Sequence, residues 1–301
     1  VTFDVTPSTS AAPFCQGPTQ SVVITVNPKP VIPAQVATIC SGATFSITPA
    51  DGNPTSATIV PTGTTYTWTA PVVSGGITGG SAQVVPTTSI SQTLTNPTNT
   101  VQSATYTVTP TSGAAGTCVG TAFTVTVTVN PKPVIPAQTA TICSGTSFTV
   151  TPADGVPAAS TIVPTGTTYT WGAPVVTGGI TGGSAQVIGQ PNISQTLTNP
   201  TSIPQTATYT VTPTSGAAGA CIGSTFNVTV TVNPTPVIPI QTTTVCSATP
   251  FIISPSDGVP TAATVVPAGT TYTWTAPVVT GGMTGGSAQG APQATISQTL
   301  S

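Results

Sequence analysis

The stretch "TVTVTVNPKPVIPAQ", Thr124–Gln138, alternates two β-branched residues, halts at Asn130 and paired prolines, and restarts on an apolar segment. Phe123, Val125, Val127 and Val129 fall on one side of a period-two pattern, with Thr124, Thr126 and Thr128 on the other. Successive strand side chains point to opposite faces, so the pattern predicts a strand with an apolar inner face and a hydroxyl-lined outer one. Branching at Cβ favours the pleated surface and disfavours a helix. Pro131 and Pro133 then remove two amide donors and end the pairing. The result is a strand with a stiff exit.

The same arrangement returns at a fixed distance. "NPKP" at Asn27 recurs at Asn130 and as "NPTP" at Asn233, and "TYTW" places Trp68, Trp171 and Trp274 at the same interval. Cys15, Cys118 and Cys221 form one series, and Cys40, Cys143 and Cys246 a second. Every interval is 103 residues, without insertion or deletion. That length suits one β-sandwich and is too long for a solenoid coil. The expected division is a partial domain at 1–30, complete domains at 31–133 and 134–236, and a partial domain at 237–301.

Within 31–133 the strand signals are "VIPAQVATI", "ATFSITP", "TTYTWTAP", "SAQVVP", "SISQTLT", "ATYTVTP" and "TAFTVTVTVN", labelled A to G. Turn-rich segments separate them: "ADGNP", "SGGITGG", "TNPTNT" and "TSGAAGTCVG". The expected fold is therefore all-β: tandem immunoglobulin-like β-sandwich domains of about seven strands each, arranged end to end. Trp68, Trp171 and Trp274 fall on strand C, where such sandwiches bury an aromatic, and are expected in the core. Tyr66 and Tyr106 alternate with Thr in the same way and are expected beside Trp68.

Composition narrows the function. Among 301 residues only Asp4, Asp51, Asp154, Asp257, Lys29 and Lys132 are charged, against about one quarter in an ordinary soluble domain. No run approaches the ~18 apolar residues of a helical span, so membrane insertion is not expected. Nucleic acid is excluded as a partner because phosphate neutralisation needs clustered Lys or Arg. General acid–base chemistry needs His, paired carboxylates or a tuned Lys or Tyr, and each copy holds one isolated Asp. The chain is not expected to be an enzyme, and no cofactor is implied.

The remaining motifs read as architecture. Asp51-Gly52, Asp154-Gly155 and Asp257-Gly258 resemble a cation site only weakly, because calcium wants six to eight oxygen ligands, and a turn is the expectation. No metal site is expected. "GGITGG" at Gly75–Gly80 lacks the Lys and the following helix of a phosphate loop and reads as a bend. Asn192-Ile193-Ser194 and Asn227-Val228-Thr229 match the N-glycosylation pattern but do not recur in all copies. Lys29 and Lys132 give way to Thr235 in the third linker, which argues against a Lys–Asn crosslink in every domain.

Taken together, "TICSG", "TTYTW", "ATYTVTP", a Cys before the last strand and a closing "TVTVTVNP" resemble the PKD-like and Ig-like repeats of giant cell-surface proteins of gliding and biofilm-forming Bacteroidota. The resemblance covers the whole chain. It implies a tandem array exported to the cell surface, often by the type IX route, serving adhesion, motility or fibre formation. Related surface domains with several acidic residues bind calcium, a pattern this chain does not share.

In an exported chain, two regularly placed cysteines per copy read as disulfides. The resemblance implies pairing inside a domain, Cys40 with Cys118 and Cys143 with Cys221, each stabilising by about 4 kcal/mol. In simple sandwich order those cysteines lie at opposite poles, however, and a bridge needs Cα atoms within about 7 Å. Pairing of Cys40 with Cys221, or of Cys118 with Cys143, stays open, as do the partners of Cys15 and Cys246.

Residues 1–30 align with 104–133 and so hold strands F and G only, while 237–301 hold A to E. Val1 opens on a strand pattern and Met283 is the sole Met, so the sequence reads as a processed chain or part of a longer one. The two partial domains are complementary, and strand complementation between subunits would build a head-to-tail filament. The expected function is a structural repeat forming an extracellular cell-surface fibre or stalk, with the protein itself as partner. The alternative is an adhesin segment that binds surface glycans, and a third is a Thr array facing ice or mineral.

Overall fold

The computed structural model describes residues 1–114, 116–216 and 219–301. Ala115 of the expected turn "TSGAAGTCVG", and Ala217 and Ala218 of its counterpart, lie outside the described residues. Among the described residues every regular element is a strand, and no helix is long and apolar enough to cross a membrane. The chain forms two compact units, Val1–Pro131 and Lys132–Ser301.

The first unit opens with a hairpin of β1 (Thr2–Val5) and β2 (Gln20–Val23). Its complete copy holds β3 (Gln35–Cys40), β4 (Thr44–Ile47), β5 (Thr65–Trp68), β6 (Val72–Val73), β7 (Gln83–Thr87), β8 (Ile90–Thr93), β9 (Gln102–Thr111) and β10 (Phe123–Asn130). The second unit repeats these as β11 (Gln138–Cys143), β12 (Thr146–Val150), β13 (Thr168–Trp171), β14 (Val175–Val176), β15 (Gln186–Gln190), β16 (Ile193–Leu197), β17 (Gln205–Thr214) and β18 (Phe226–Asn233). It ends with β19 (Pro250–Ile253), β20 (Tyr272–Trp274), β21 (Gln289–Gln293) and β22 (Ile296–Thr299).

Two layers make each complete copy. The larger runs β3-β10-β9-β5-β7, with β6 also on β9, and the smaller pairs β4 with β8. β6 is an eighth, two-residue strand beyond the seven expected. The expected first strand at 31–39 is displaced: Pro33 cannot donate to a ladder, so Val31 makes only an isolated bridge to Ile59 and pairing begins at Gln35. β3 runs parallel to β10, from Gln35 opposite Val125 to Cys40 opposite Asn130. The first and last strands of the copy are thus neighbours.

The alternation buries what it predicts. Phe123, Val125, Val127 and Val129 face inward with Ala104, Tyr106 and Val108 of β9, and Phe45, Ile90 and Leu94 meet them from the smaller layer. Tyr106 sits at the centre, its ring 5.5 Å from Phe45 and edge-on to Trp68 at 6.4 Å. A polar clasp ties the layers where these rings meet. The Tyr106 hydroxyl donates to Gln92 Oε1 at 2.9 Å, and Gln92 Nε2 donates to the carbonyl of Ser81 at 2.9 Å. Trp68 Nε1 donates to that same carbonyl at 3.1 Å. Tyr209, Gln195, Ser184 and Trp171 repeat the arrangement in the second complete copy.

The "GGITGG" bend is a close backbone approach. Gly182 has φ +91°, and a Cβ there would collide with the carbonyl of Thr196. Gly79 meets Thr93 in the same way. Gly182→Ala should therefore lower the unfolding free energy of its copy by more than ~2 kcal/mol, measured by urea titration. An unchanged midpoint would contradict the packing.

Burial also tunes the core phenols. It pushes Tyr106, Tyr169 and Tyr209 up to about 12 from 10.0. The folded state holds the neutral phenol while the unfolded chain releases its proton near 10. These groups therefore contribute fully below pH 10, and the contribution is lost as pH rises toward 12. Melting midpoints should fall across that window, with Tyr106, Tyr169 and Tyr209 forming tyrosinate only on unfolding. Tyrosinate formation at these three residues in the folded protein near pH 10 would refute the burial.

Candidate functional site

Trp68 and Trp171 are buried, whereas Trp274 of the last copy is only half-buried. All three indole N–H groups are used internally, Trp274 donating to Ser287 O at 3.1 Å. Asp51, Asp154 and Asp257 each accept the amide of the residue nine positions on, at 2.8, 2.8 and 2.9 Å, and the glycine after each has positive φ. Each Asp-Gly is a loop closure. Among the described residues no three His, Cys, Asp or Glu side chains converge to hold a metal.

The cysteines depart from the pairing implied by resemblance. Cys40 and Cys221 are in the disulfide form, while Cys15, Cys118, Cys143 and Cys246 are free thiols. Cys40 with Cys118 and Cys143 with Cys221 are therefore not formed. The reason is the parallel pairing of β3 and β10. Cys40 lies opposite Asn130 at the end of β10, whereas Cys118 precedes the start of that strand at Phe123. Eight residues of extended chain separate those poles by roughly 25 Å, far beyond the reach of a disulfide.

What distinguishes the partial copies is uncovered sheet. In the β1–β2 hairpin every strand residue is exposed. Phe3 and Val22 are 52% and 46% exposed, although their counterparts Tyr106 and Val125 are at 0%. Val1, Val5, Ile24 and Val26 are likewise exposed at positions that are fully buried in the complete copies. The hairpin forms with its register intact, Thr2 opposite Val23 and Val5 opposite Gln20, but it covers nothing.

The last copy is open on the matching side. Among the described residues β20 pairs only with β21, while its counterpart β5 pairs with both β7 and β9. Residues 241–246, the counterpart of β3, form no strand. Their partner in a complete copy would be β10, and no such segment follows in residues 237–301. Core positions loosen accordingly: Ile296 and Leu300 are half-buried where Ile90 and Leu94 are at 0%, and Met283 is exposed where Ile77 is buried. A cavity of about 380 Å³ lined by Val245, Cys246, Met283 and Leu300 lies at this open end. The Trp–Ser–Gln part of the clasp persists, with Gln298 Nε2 on Ser287 O at 2.6 Å, but among the described residues no Tyr hydroxyl reaches Gln298.

Sequence reasoning missed the Gln of the clasp, although Gln92, Gln195 and Gln298 recur at the repeat interval and could have been noticed.

No curated protein matches the sequence. Among solved structures, that of the N-terminal four Ig domains of Dscam1 isoform 1.9 is similar at 12% identity, with a TM-score of 0.23, over 67% of this chain and 44% of that one. The chain thus spans less than half the length of that structure. The PKD-like domain family matches residues 37–133 and 140–236, in register with the two complete sandwiches and over more than half of the sequence. The chain belongs to the PKD-like domain family.

Proposed function

We propose that this protein is a structural element of an extracellular cell-surface fibre or stalk, extended head to tail by strand complementation. The β1–β2 hairpin of one subunit completes residues 237–301 of the next, taking the places of β9 and β10. The observation that carries this reading is the match between two uncovered surfaces. One is an F–G hairpin with its apolar face in solvent; the other is a sandwich lacking that hairpin. PKD-like domains are typically extracellular and non-catalytic, and the oxidised Cys40 and Cys221 suit an oxidising compartment. The resemblance to Bacteroidota surface repeats favours export by the type IX route. Glycan binding is less well supported, because the Trp68 and Trp171 rings that could stack on sugars are in the core.

The complete copies supply the docking register. Val125 lies opposite Gln35 and Asn130 opposite Cys40, which places Val22 of the donor opposite Gln241 and Asn27 opposite Cys246. Val108 opposite Trp68 places Val5 opposite Trp274. Such pairing adds main-chain hydrogen bonds along two strands and buries the apolar row. It also removes two exposed edges that would otherwise aggregate without order.

Electron microscopy of the 301-residue chain should show thin rods with a regular domain repeat, and sedimentation should show growth with concentration. Val22→Asp puts an unpaired carboxylate into a buried row and should weaken association at least ~100-fold. Val22 lies outside both complete cores, so their melting should not change. Phe3→Tyr restores the hydroxyl that Tyr106 and Tyr209 give to the clasp and should tighten association about fivefold, through Gln298. A wild-type chain that stays at 29.4 kDa at every concentration would overturn the proposal, as would Val22→Asp rods equal to wild type.

A further inference from the structure

Each complete copy carries one cysteine at each pole. Cys118 belongs to the loop between β9 and β10, and this loop abuts the linker that leads into the copy: a Cβ on Gly120 would sit 2.6 Å from Pro30 O, and one on Gly116 3.3 Å from Asn27 Nδ2. Cys143 closes β11 opposite Asn233, and the next residue abuts the linker that leaves the copy. The Ser144 amide donates to Asn233 O at 2.8 Å, and Ser144 O accepts from Thr235 Oγ1 at 3.1 Å. The first cysteine series therefore lies at the N-terminal pole of a copy and the second at its C-terminal pole. Cys40 and Cys221, both in the disulfide form, belong to the C-terminal-pole and the N-terminal-pole series respectively.

Resting on the head-to-tail reading above, we infer that the four free thiols are the half-cystines of the joint between subunits. When the hairpin of a second copy completes residues 237–301, its Cys15 becomes the N-terminal-pole cysteine of the domain that follows 134–236. Cys143 then bonds to Cys15 of the second copy. In the completed domain Cys246 is the C-terminal-pole cysteine, and the next domain is residues 31–133 of the second copy, so Cys246 bonds to Cys118 there. Each joint thus carries two disulfides between the same two chains, and all six cysteines of an interior subunit are oxidised.

The chemistry is accessible. Cys15, Cys143 and Cys246 are exposed and Cys118 is half-exposed. Each bond forms as two thiols lose two protons and two electrons to a low-molecular-weight disulfide, which leaves as two thiols. Strand docking comes first, because it sets the sulfurs within bonding distance; oxidation then makes a reversible polymer covalent.

The test assembles an equal mixture of heavy-nitrogen-labelled and unlabelled 301-residue chains with oxidised glutathione. Digestion uses pepsin, since both lysines precede proline and resist trypsin. Linked peptides joining Cys143 to Cys15 and Cys246 to Cys118, with mixed labels, are expected. So is a denaturing, non-reducing ladder at multiples of 29.4 kDa that collapses on reduction. The Cys15→Ser/Cys246→Ser double variant should lose the ladder yet still form rods in native buffer. Rods that fall apart in denaturant without reductant would overturn the pairing and leave strand complementation standing. Linked peptides joining Cys15 to Cys246, or carrying only one label, would overturn it as well. A chain that never assembles would refute the head-to-tail reading, and this pairing with it.

Discussion

Each sandwich depends on the hairpin of its last two strands. β9 and β10 occupy the middle of the larger layer, with β5 and β6 on one flank and β3 on the other. Seven of their side chains, from Ala104 to Val129, are almost wholly buried. Burial at ~1.5–3 kcal/mol for each large apolar side chain comes to on the order of 10–20 kcal/mol before chain entropy is charged, more than a domain's net stability. Without that hairpin β3 loses its only partner and β5 one of two. Residues 237–301 show this result: the counterpart of β3 is no longer a strand, and Ile296, Leu300 and Met283 are partly in solvent.

The same dependence underlies the proposed complementation. Because the first strand pairs with the last, a copy is finished only when its final residues arrive, and the chemistry is indifferent to which chain supplies them. The hairpin also carries its own register, set by β1 against β2, so in the proposed joint it would dock as a preformed unit with less ordering entropy to oppose association. The proposed joint would repeat the interior of every other domain and so need not be weaker than the rest of the proposed fibre.

Nearly all charge has been removed from this surface, and hydroxyls stand in its place. Thr44 and Thr93 approach at 2.6 Å across β4 and β8, Ser147 and Thr196 at 2.7 Å across β12 and β16, and Thr6 and Thr19 at 2.7 Å beside the β1–β2 hairpin. Cross-strand hydroxyl pairs of this type add a few tenths of a kcal/mol each. Unlike ion pairs they are not screened by electrolyte.

The sequence by itself determined what is local. Period-two alternation in Phe123–Asn130 set the strand and its inward face, the exact recurrence of Trp68, Trp171 and Trp274 set the copy length, and Asp51-Gly52 set a turn. Each depends on residues a few positions apart, or on a spacing that can be counted. Only the tertiary structure decided that the first strand lies parallel to the last and that Gln92 clasps Tyr106 and Trp68 across the layers. These are pairings between residues tens of positions apart, and the alternation of Val and Thr is equally compatible with many of them. Loop closure and the packing of two layers select one, and with it which sulfurs can meet and which faces remain uncovered.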